Sequence, residues 1–263
     1  MTLNFEKHHG CGNDFIIVNN FEGEFDQAKL TREVIKSLCD RRYGVGADGL
    51  MILEPSDKAD FKMFYANADG RESTMCGNGG RCIVAFAFQH GIINGECTFE
   101  AIDGLHTATI DENGDVSLGM NQVNEITKYG DAFVLDTGSP HYVMIVEDIE
   151  NYPVVEAGRS IRNSETFIKE GINVNFIEII GDRHRIRTYE RGVEDETEAC
   201  GTGVTAAAVV LNRYFDKGDQ INLMTNGGLL TVKIDNNSKS LSSNITLCGP
   251  AKLVYTGQVD LKF

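Results

Sequence analysis

Cys76-Gly77-Asn78-Gly79 and Cys200-Gly201-Thr202-Gly203 are two copies of one short pattern, and each leads directly into an apolar stretch. Residues 82–88 follow the first copy, and residues 204–211 follow the second. A helix that is apolar nearly all round must be enclosed by other elements rather than laid on a surface. The pattern therefore predicts two buried helices, each beginning just after a cysteine, with alanines keeping them thin.

Most other apolar segments are short and bounded by Gly, Asn or Asp, which is typical of strands. We expect strands at 15–18, 50–53, 61–65, 98–102, 133–135, 142–146, 174–180, 185–189, 221–224 and 229–234. Residues 111–115 and 226–228 are expected to form hairpin turns. Two amphipathic helices are predicted, one over 32–41 capped by Thr31 and one from Pro153 to Arg162.

These elements favour an α+β protein of two similar halves, each a curved sheet wrapped around one central helix. We place the boundary in a polar stretch, so that residues 1–122 carry Cys76 and residues 123–263 carry Cys200. Whether the last strand returns to the first half is left open. A pocket is expected between the halves.

The composition is that of an ordinary globular protein, with 41% apolar and 24% charged residues. A net charge of −15 argues against nucleic acid or an anionic membrane as a partner, because both favour basic surfaces. No apolar run approaches the roughly 18 residues needed to span a bilayer, and the start of the chain lacks the pattern of a signal peptide. We therefore expect a cytoplasmic protein.

The seven cysteines are scattered, without a C-x-x-C pair, so neither a zinc ribbon nor a thioredoxin-type motif is indicated. Thiols rather than disulfides are expected in a reducing compartment. Most of these thiols are expected to be buried in the core, as free cysteines usually are. No ligand cluster with metal spacing occurs, and no metal or other cofactor is predicted.

Cys76 and Cys200 are the candidates for chemistry, because a helix N-terminus lowers the pKa of a thiol and its N–H groups bind carboxylates. If both helix starts face one substrate, one thiolate can remove the α-proton while the other thiol protonates the opposite face. The N–H groups would stabilise the charge that develops on the carboxylate. Two buried structural cysteines, or a redox-sensing pair, are the alternatives.

Further short motifs surround this pattern. They occupy residues 9–15, 46–50, 67–70, 75–82, 138–141, 171–176 and 190–192 with 199–203, and in their order and spacing the chain resembles the diaminopimelate epimerase family. The resemblance covers essentially the whole chain. It implies two pseudo-symmetric halves, each a barrel-like and mostly antiparallel sheet around a helix. It also implies epimerisation of LL- to meso-2,6-diaminopimelate for lysine and peptidoglycan synthesis, without pyridoxal phosphate or metal.

The resemblance also implies roles for individual residues. Cys76 and Cys200 would be the acid/base pair, with His141 and Glu190 beside them to assist. The substrate would be bound by Asn13, Asn67, Gly77, Asn78, Ser139, Asn173, Glu190, Arg191, Gly201 and Thr202. The expected partner is thus a small amino acid, and a homodimer is left open.

Two positions depart from the family pattern. The family usually has Asn where this chain has Ser139, and often Gln where it has Gly49. We expect Ser139 to retain one hydrogen bond, and a water to fill the space at Gly49. These departures make substrate identity less secure than reaction type, and a racemase for histidine or another amino acid on the same fold is the alternative.

Overall fold

The protein is described by a computed structural model that covers residues 1–235 and 244–261. The backbone forms two compact units. Unit 1 comprises Met1–Leu118 together with Pro250–Phe263, and unit 2 comprises Gly119–Gly249.

The strands follow the chain in two groups. The first group is β1 (Thr2–Gly10), β2 (Asn13–Asn19), β3 (Gly49–Glu54), β4 (Phe61–Asn67), β5 (Glu96–Ala101), β6 (Gly104–Ile110) and β7 (Asp115–Met120). The second group is β8 (Ile126–Tyr129), β9 (Ala132–Asp136), β10 (Pro140–Ile145), β11 (Asn173–Glu178), β12 (Arg183–Glu190), β13 (Asp195–Thr197), β14 (Gln220–Thr225), β15 (Gly228–Ile234) and β16 (Ile245–Pro250). The strand β17 (Lys252–Asp260) then belongs to unit 1.

Both units pair their strands in the same sequence of directions. In unit 1, β1 to β7 pair in order as antiparallel, parallel, antiparallel, parallel, antiparallel and antiparallel neighbours. In unit 2, the same series runs through β9, β10, β11, β12, β14, β15 and β16. One further antiparallel strand covers the first edge of each series, β17 on β1 and β8 on β9. The predicted pair of similar, mostly antiparallel halves is confirmed.

Helices lie between the strands that pair in parallel, because parallel neighbours need a crossover connection. The helices α1 (Arg32–Cys39) and α2 (Gly77–Gln89) serve unit 1, and α3 (Val154–Arg162) and α4 (Gly201–Phe215) serve unit 2. A short 3₁₀ helix, Gln27–Lys29, precedes α1. Thr31 caps α1 as predicted, but the helix ends at Cys39 because Asp40 adopts an extended backbone.

The two helices that follow the repeated pattern are enclosed as predicted. The helix α2 contacts β1, β2, β3 and β6, and α4 contacts every strand of the series from β9 to β15 except β13. Ile83 and Val84 in α2 and Ala206 and Leu211 in α4 have no exposed surface. Burial of these apolar side chains is the main favourable contribution to the stability of each unit.

Within the described ranges, no helix is both long enough and apolar enough to cross a membrane.

Candidate active-site residues

Cys76 and Cys200 occupy equivalent positions in the two units. Each has an extended backbone and is the N-cap residue of its helix, α2 or α4. In an α-helix the first N–H groups have no partner within the helix, and the helix dipole favours an anion beside them. The groups concerned belong to Gly77, Asn78, Gly201 and Thr202. Each sulfur therefore lies next to a set of donors suited to a carboxylate.

Asn13 is a polar partner of Cys76 in unit 1. The sulfur of Cys76 donates to Oδ1 of Asn13 at 3.6 Å, and Nδ2 of Asn78 donates to the same oxygen at 3.3 Å. The Nδ2 atom of Asn13 donates to Oδ2 of Asp48 at 2.6 Å. Three of the predicted site residues are thus brought together, and Asp48 joins them.

Arg81 was missed by the sequence analysis, although an arginine within an apolar helix is a signal in itself. It is fully buried and donates to Oδ1 of Asn78 at 2.9 Å and to the carbonyl of Gly77 at 3.1 Å. It also reaches the carbonyl of Pro250 at 3.5 Å. Arg81 therefore fixes both the first turn of α2 and the amide of Asn78.

Asp48 belongs to a charged cluster on the other side of Asn13. Arg41 bridges Asp48 at 2.8 Å and Asp14 at 2.7 Å, and Lys7 pairs with Asp14 at 2.8 Å. Burial raises the pKa of the Asp14 carboxyl, but Arg41 and Lys7 outweigh this effect and hold the pKa at about 2. The Asp14 carboxyl is therefore ionised at neutral pH.

The expectation of a water at Gly49 is wrong. A Cβ atom at this position would lie 2.6 Å from Cε2 of Tyr65 and 2.6 Å from the carbonyl oxygen of Ala66. The ring of Tyr65 therefore occupies the space, and its hydroxyl donates to Oδ1 of Asn67 at 2.7 Å. Tyr65, which the sequence did not single out, positions the predicted binding residue Asn67.

Thr202 contacts Cys200 in unit 2, and Ser139 contacts Thr202. The sulfur of Cys200 lies 3.4 Å from Oγ1 of Thr202, and this oxygen lies 3.3 Å from Oγ of Ser139. The carbonyl of Thr202 also accepts from the hydroxyl of Thr137 at 2.9 Å. Ser139 thus contacts the first turn of α4 directly.

His141 lies behind Ser139, at the start of β10. Its Nε2 is 3.0 Å from Oγ of Ser139, and its Nδ1 is 3.1 Å from Nδ2 of Asn175. Burial, together with the charge of Arg191, lowers the pKa of the imidazole to about 3. His141 is therefore a neutral imidazole at physiological pH, connected to Cys200 through two hydroxyl groups.

Asn173, Glu190 and Arg191 meet where β11 begins and β12 ends. Asn173 donates to Oγ of Ser139 at 3.1 Å and accepts from the N–H of Arg191 at 2.9 Å. The hydroxyl of Thr197 donates to Glu190 at 2.9 Å. A guanidinium N–H of Arg191 donates to the carbonyl of Glu170 at 3.0 Å. The predicted unit-2 residues thus lie at one end of its sheet.

Among residues 1–235 and 244–261, no group of three or more His, Cys, Asp or Glu side chains is placed to hold a metal ion.

Comparison with known proteins relates the whole chain to one family. A family model described as diaminopimelate epimerase matches residues 5–126 and 133–254. The diaminopimelate epimerase of Flavobacterium psychrophilum is 46% identical over 251 residues, which are 95% of this chain and 97% of that protein. The diaminopimelate epimerase of Chlorobaculum tepidum is 40% identical and covers 96% of this chain and 99% of its own length.

Solved structures of more distant proteins share the fold. A phenazine biosynthesis protein of the PhzF family from Bacillus anthracis superposes with a TM-score of 0.80 at 15% identity, over 99% of this chain and 100% of that one. A hydroxyproline epimerase from Agrobacterium vitis superposes with a TM-score of 0.68 at 16% identity, over 98% and 92%. The matches in sequence to both halves identify this chain as a member of the diaminopimelate epimerase family.

Proposed function

We propose that this protein is an isomerase that interconverts LL- and meso-2,6-diaminopimelate, with Cys76 and Cys200 as its two acid/base groups. The observation that carries the proposal is the duplicated arrangement of a cysteine at the N-terminus of a buried helix, one in each unit. Inversion of a carbon centre requires a base on one face and an acid on the other. Membership of the diaminopimelate epimerase family supports this choice of substrate.

In the proposed reaction, one cysteine acts as a thiolate and removes the α-proton of the substrate. The carbanion is stabilised by its carboxylate, which accepts hydrogen bonds from the first N–H groups of the helices. The other cysteine, as a thiol, delivers its proton to the opposite face. The protein then differs from its starting state only in which sulfur holds the proton.

The distal end of diaminopimelate, with its second amino and carboxylate groups, is assigned to Asn67, Asn173, Glu190 and Arg191. The planar guanidinium of Arg191 suits a carboxylate because it can donate two parallel hydrogen bonds. His141 and Glu190 are proposed to assist the thiols, and Asn13 and Ser139 to bind the reacting end.

The reaction belongs to lysine and peptidoglycan precursor synthesis, and we place it in the cytoplasm. The proposed partner is the small amino-acid substrate itself, rather than nucleic acid or a membrane. Self-association as a homodimer is compatible with the proposal and can be measured by light scattering.

The test is incubation of the purified protein with LL-diaminopimelate in deuterated water, without added pyridoxal phosphate. We expect deuterium at one α-carbon and the appearance of the meso isomer. A parallel incubation with L-histidine addresses the alternative substrate class. Isotope exchange into histidine, with none into diaminopimelate, would contradict the substrate assignment, and exchange into neither would contradict the epimerase chemistry.

A further inference from the structure

The hydrogen bonds behind Cys200 have a direction that backbone groups determine. Nδ2 of Asn175 donates to the carbonyl of Tyr142 at 3.0 Å, and Oδ1 accepts from the hydroxyl of Thr188 at 3.0 Å. Because a carbonyl only accepts, the amide orientation is fixed, and Asn175 must donate to Nδ1 of His141. A neutral imidazole that accepts at Nδ1 carries its proton on Nε2. His141 therefore donates to Ser139.

Ser139 receives a second donor from a side chain that is equally fixed. Oδ1 of Asn173 accepts from the N–H of Arg191, and Nδ2 donates to the carbonyl of Pro140 at 3.3 Å and to Oγ of Ser139. With two donors on its oxygen, Ser139 turns its own proton towards Oγ1 of Thr202. Oγ1 of Thr202 thus accepts from Ser139, which leaves the hydroxyl proton of Thr202 to donate to the sulfur of Cys200 at 3.4 Å. The chain of hydrogen bonds ends with a donor on this sulfur.

The hydrogen bonds at Cys76 run in the opposite sense. The carboxylate of Asp48 only accepts, so it fixes Nδ2 of Asn13 towards itself and leaves Oδ1 towards Cys76. Arg81 only donates, so it fixes Oδ1 of Asn78 and leaves Nδ2 to donate to Asn13. Oδ1 of Asn13 is thus an acceptor, and a hydrogen bond with Cys76 requires a proton on the sulfur.

We propose that these two chains set opposite protonation states in the resting protein, with Cys200 as the thiolate and Cys76 as the thiol. Ser139 is then a positioning residue that acts on Cys200 through Thr202. A hydrogen bond to an ionised sulfur is stronger than one to a neutral sulfur, so the donor from Thr202 favours loss of the Cys200 proton. The acceptor at Asn13 favours retention of the Cys76 proton.

The inference deepens the proposed function, on which it rests, by assigning the roles of base and acid in the resting state. Cys200 takes the first α-proton, and the proton delivered to the opposite face comes from Cys76. The substrate configuration whose α-hydrogen faces Cys200 is therefore the one that binds a protein already in the correct protonation state.

Titratable or charged groups at this end of unit 2 include Asp136 at the end of β9, His141 in β10, Glu190 with Arg191 at the end of β12, and Asp195 of β13, which pairs with Glu190 in the sheet. Asp136 accepts the N–H of Gly138 at 2.7 Å, Glu190 accepts from Thr197, and Arg191 donates to the carbonyl of Glu170. None of these residues is substituted in Ser139→Ala, Thr202→Val or Ser139→Thr, so their electrostatic effect is common to every protein compared.

The experiment measures the pH dependence of iodoacetamide alkylation at each cysteine, resolved peptide by peptide with isotope-labelled reagent and mass spectrometry. In the unmodified sequence we expect the pKa of Cys200 to lie below that of Cys76. In Ser139→Ala and in Thr202→Val, the pKa of Cys200 should rise by about one unit, as expected for loss of a hydrogen bond to a charged group. The pKa of Cys76 should not change.

Ser139→Thr is the matched control because it keeps a hydroxyl group in the same place, and it should retain the low pKa of Cys200. Thermal melts establish that each variant is folded. Equal pKa values for the two cysteines, a lower value for Cys76, or an unchanged Cys200 in both Ser139→Ala and Thr202→Val would overturn the inference. The inference would also be overturned if the pKa of Cys200 rose as much in Ser139→Thr as in Ser139→Ala.

Alkylation needs no substrate, so this result is independent of the proposed function. If the pKa difference is found but no amino acid undergoes exchange, the epimerase proposal fails and the assignment of protonation states stands. If exchange occurs but the pKa difference is absent, the assignment of protonation states fails and the epimerase proposal stands.

Discussion

The two units build the same strand series and the same cysteine-capped helix, yet they surround these cysteines with different side chains. The fifth residue after each cysteine shows the contrast. Arg81 donates to the carbonyl of Gly77 at 3.1 Å, and Thr205 donates to the carbonyl of Gly201 at 2.9 Å. Within the described part of the chain, this is the one hydrogen bond that the side chain of Thr205 makes. Arg81 also donates to Asn78 and to the carbonyl of Pro250. The duplicated backbone fixes where each helix begins, and the side chains decide what its sulfur contacts.

The second glycine of the repeated pattern, Gly79 or Gly203, also has different surroundings in the two units. A Cβ atom at Gly79 would make ordinary contacts at 3.5 Å with Met51 and Phe15. A Cβ atom at Gly203 would lie 2.3 Å from Oδ1 of Asn175. The same glycine is therefore dispensable in unit 1 and required by close packing in unit 2.

The largest effect is expected from substitution of the two cysteines, which tests whether they are equivalent in catalysis despite these differences. Cys76→Ser and Cys200→Ser should each slow epimerisation by about 10²- to 10⁴-fold, because a hydroxyl is a much weaker base and acid near neutral pH. Rates are measured by conversion of LL-diaminopimelate to the meso isomer. Cys248→Ser is the matched control and should retain the rate. Retention of the full rate by either site variant would refute the two-base mechanism.

Arg81 and Thr205 offer a comparison of stability. Arg81→Met leaves the buried oxygens of Gly77, Asn78 and Pro250 without this donor, so the free energy of unfolding should fall by about 3 kcal/mol. Thr205→Val removes one hydrogen bond at constant shape and should cost about 1 kcal/mol. Urea denaturation measures both. If Arg81→Met were as stable as the unchanged protein, the buried guanidinium would have no structural role in unit 1.

The two glycines give a matched pair of substitutions. Gly203→Ala should destabilise the protein by about 1–3 kcal/mol, because the new methyl group must displace the amide of Asn175. Gly79→Ala should be neutral or stabilise by up to about 1 kcal/mol, since alanine favours a helix more than glycine does. Thermal denaturation measures the stability of both variants. Equal effects of the two substitutions would contradict the packing difference.

The last comparison concerns pH, where His141 in unit 2 and Asp14 in unit 1 contribute to stability over different pH ranges. The folded pKa of His141 is about 3, against 6.5 for the ordinary value, so only the unfolded chain takes up this proton as the pH falls below about 6.5. Its contribution is complete above pH 6.5 and is lost towards pH 3, with a slope of up to about 1.4 kcal/mol per pH unit. Asp14, with a folded pKa of about 2 against 3.8, loses its contribution between these values.

The substitution His141→Gln distinguishes the pH range in which His141 contributes to stability from the range in which Asp14 does. The dependence of unfolding free energy on pH between 6 and 4.5 should become shallower by about one proton, while the loss below pH 3.8 persists. Part of the slope remains, because burial also lowers the pKa of His8 and His184. An unchanged slope in this variant would show that His141 is protonated in the folded protein.

Much of the architecture could be predicted because its signals are local. The apolar stretches after Cys76 and Cys200 predicted enclosed helices, and short apolar segments such as 50–53 and 61–65 predicted strands, which the structure confirms. The strands β1, β6, β7, β8, β13, β16 and β17 were missed. The side chains of β17 are largely exposed, so the segment lacks the alternation by which a strand is recognised.

The candidate site could be predicted where it depends on motifs and not where it depends on packing. Cys76, Asn13 and Asn78 were expected near one reacting centre, and they do contact one another. Tyr65 fills the space beside Gly49 because the antiparallel pairing of β3 and β4 brings it there, which no local pattern encodes. The role of Arg81 likewise depends on the carbonyl of Pro250, which lies 169 residues away along the chain.

The pairing of β17 with β1 has a consequence for synthesis on the ribosome. Thr2 is hydrogen-bonded to Asp260, so the outer edge of β1 acquires its neighbour only after residues 252–260 have been made. The segment that forms unit 2 emerges before β17 does, and can begin to fold while β1 still presents an open row of N–H and C=O groups. Such an edge is prone to pair with other chains. Until β17 is made, β1 is therefore a segment of the nascent chain that transient protection by a chaperone would keep from pairing with other chains.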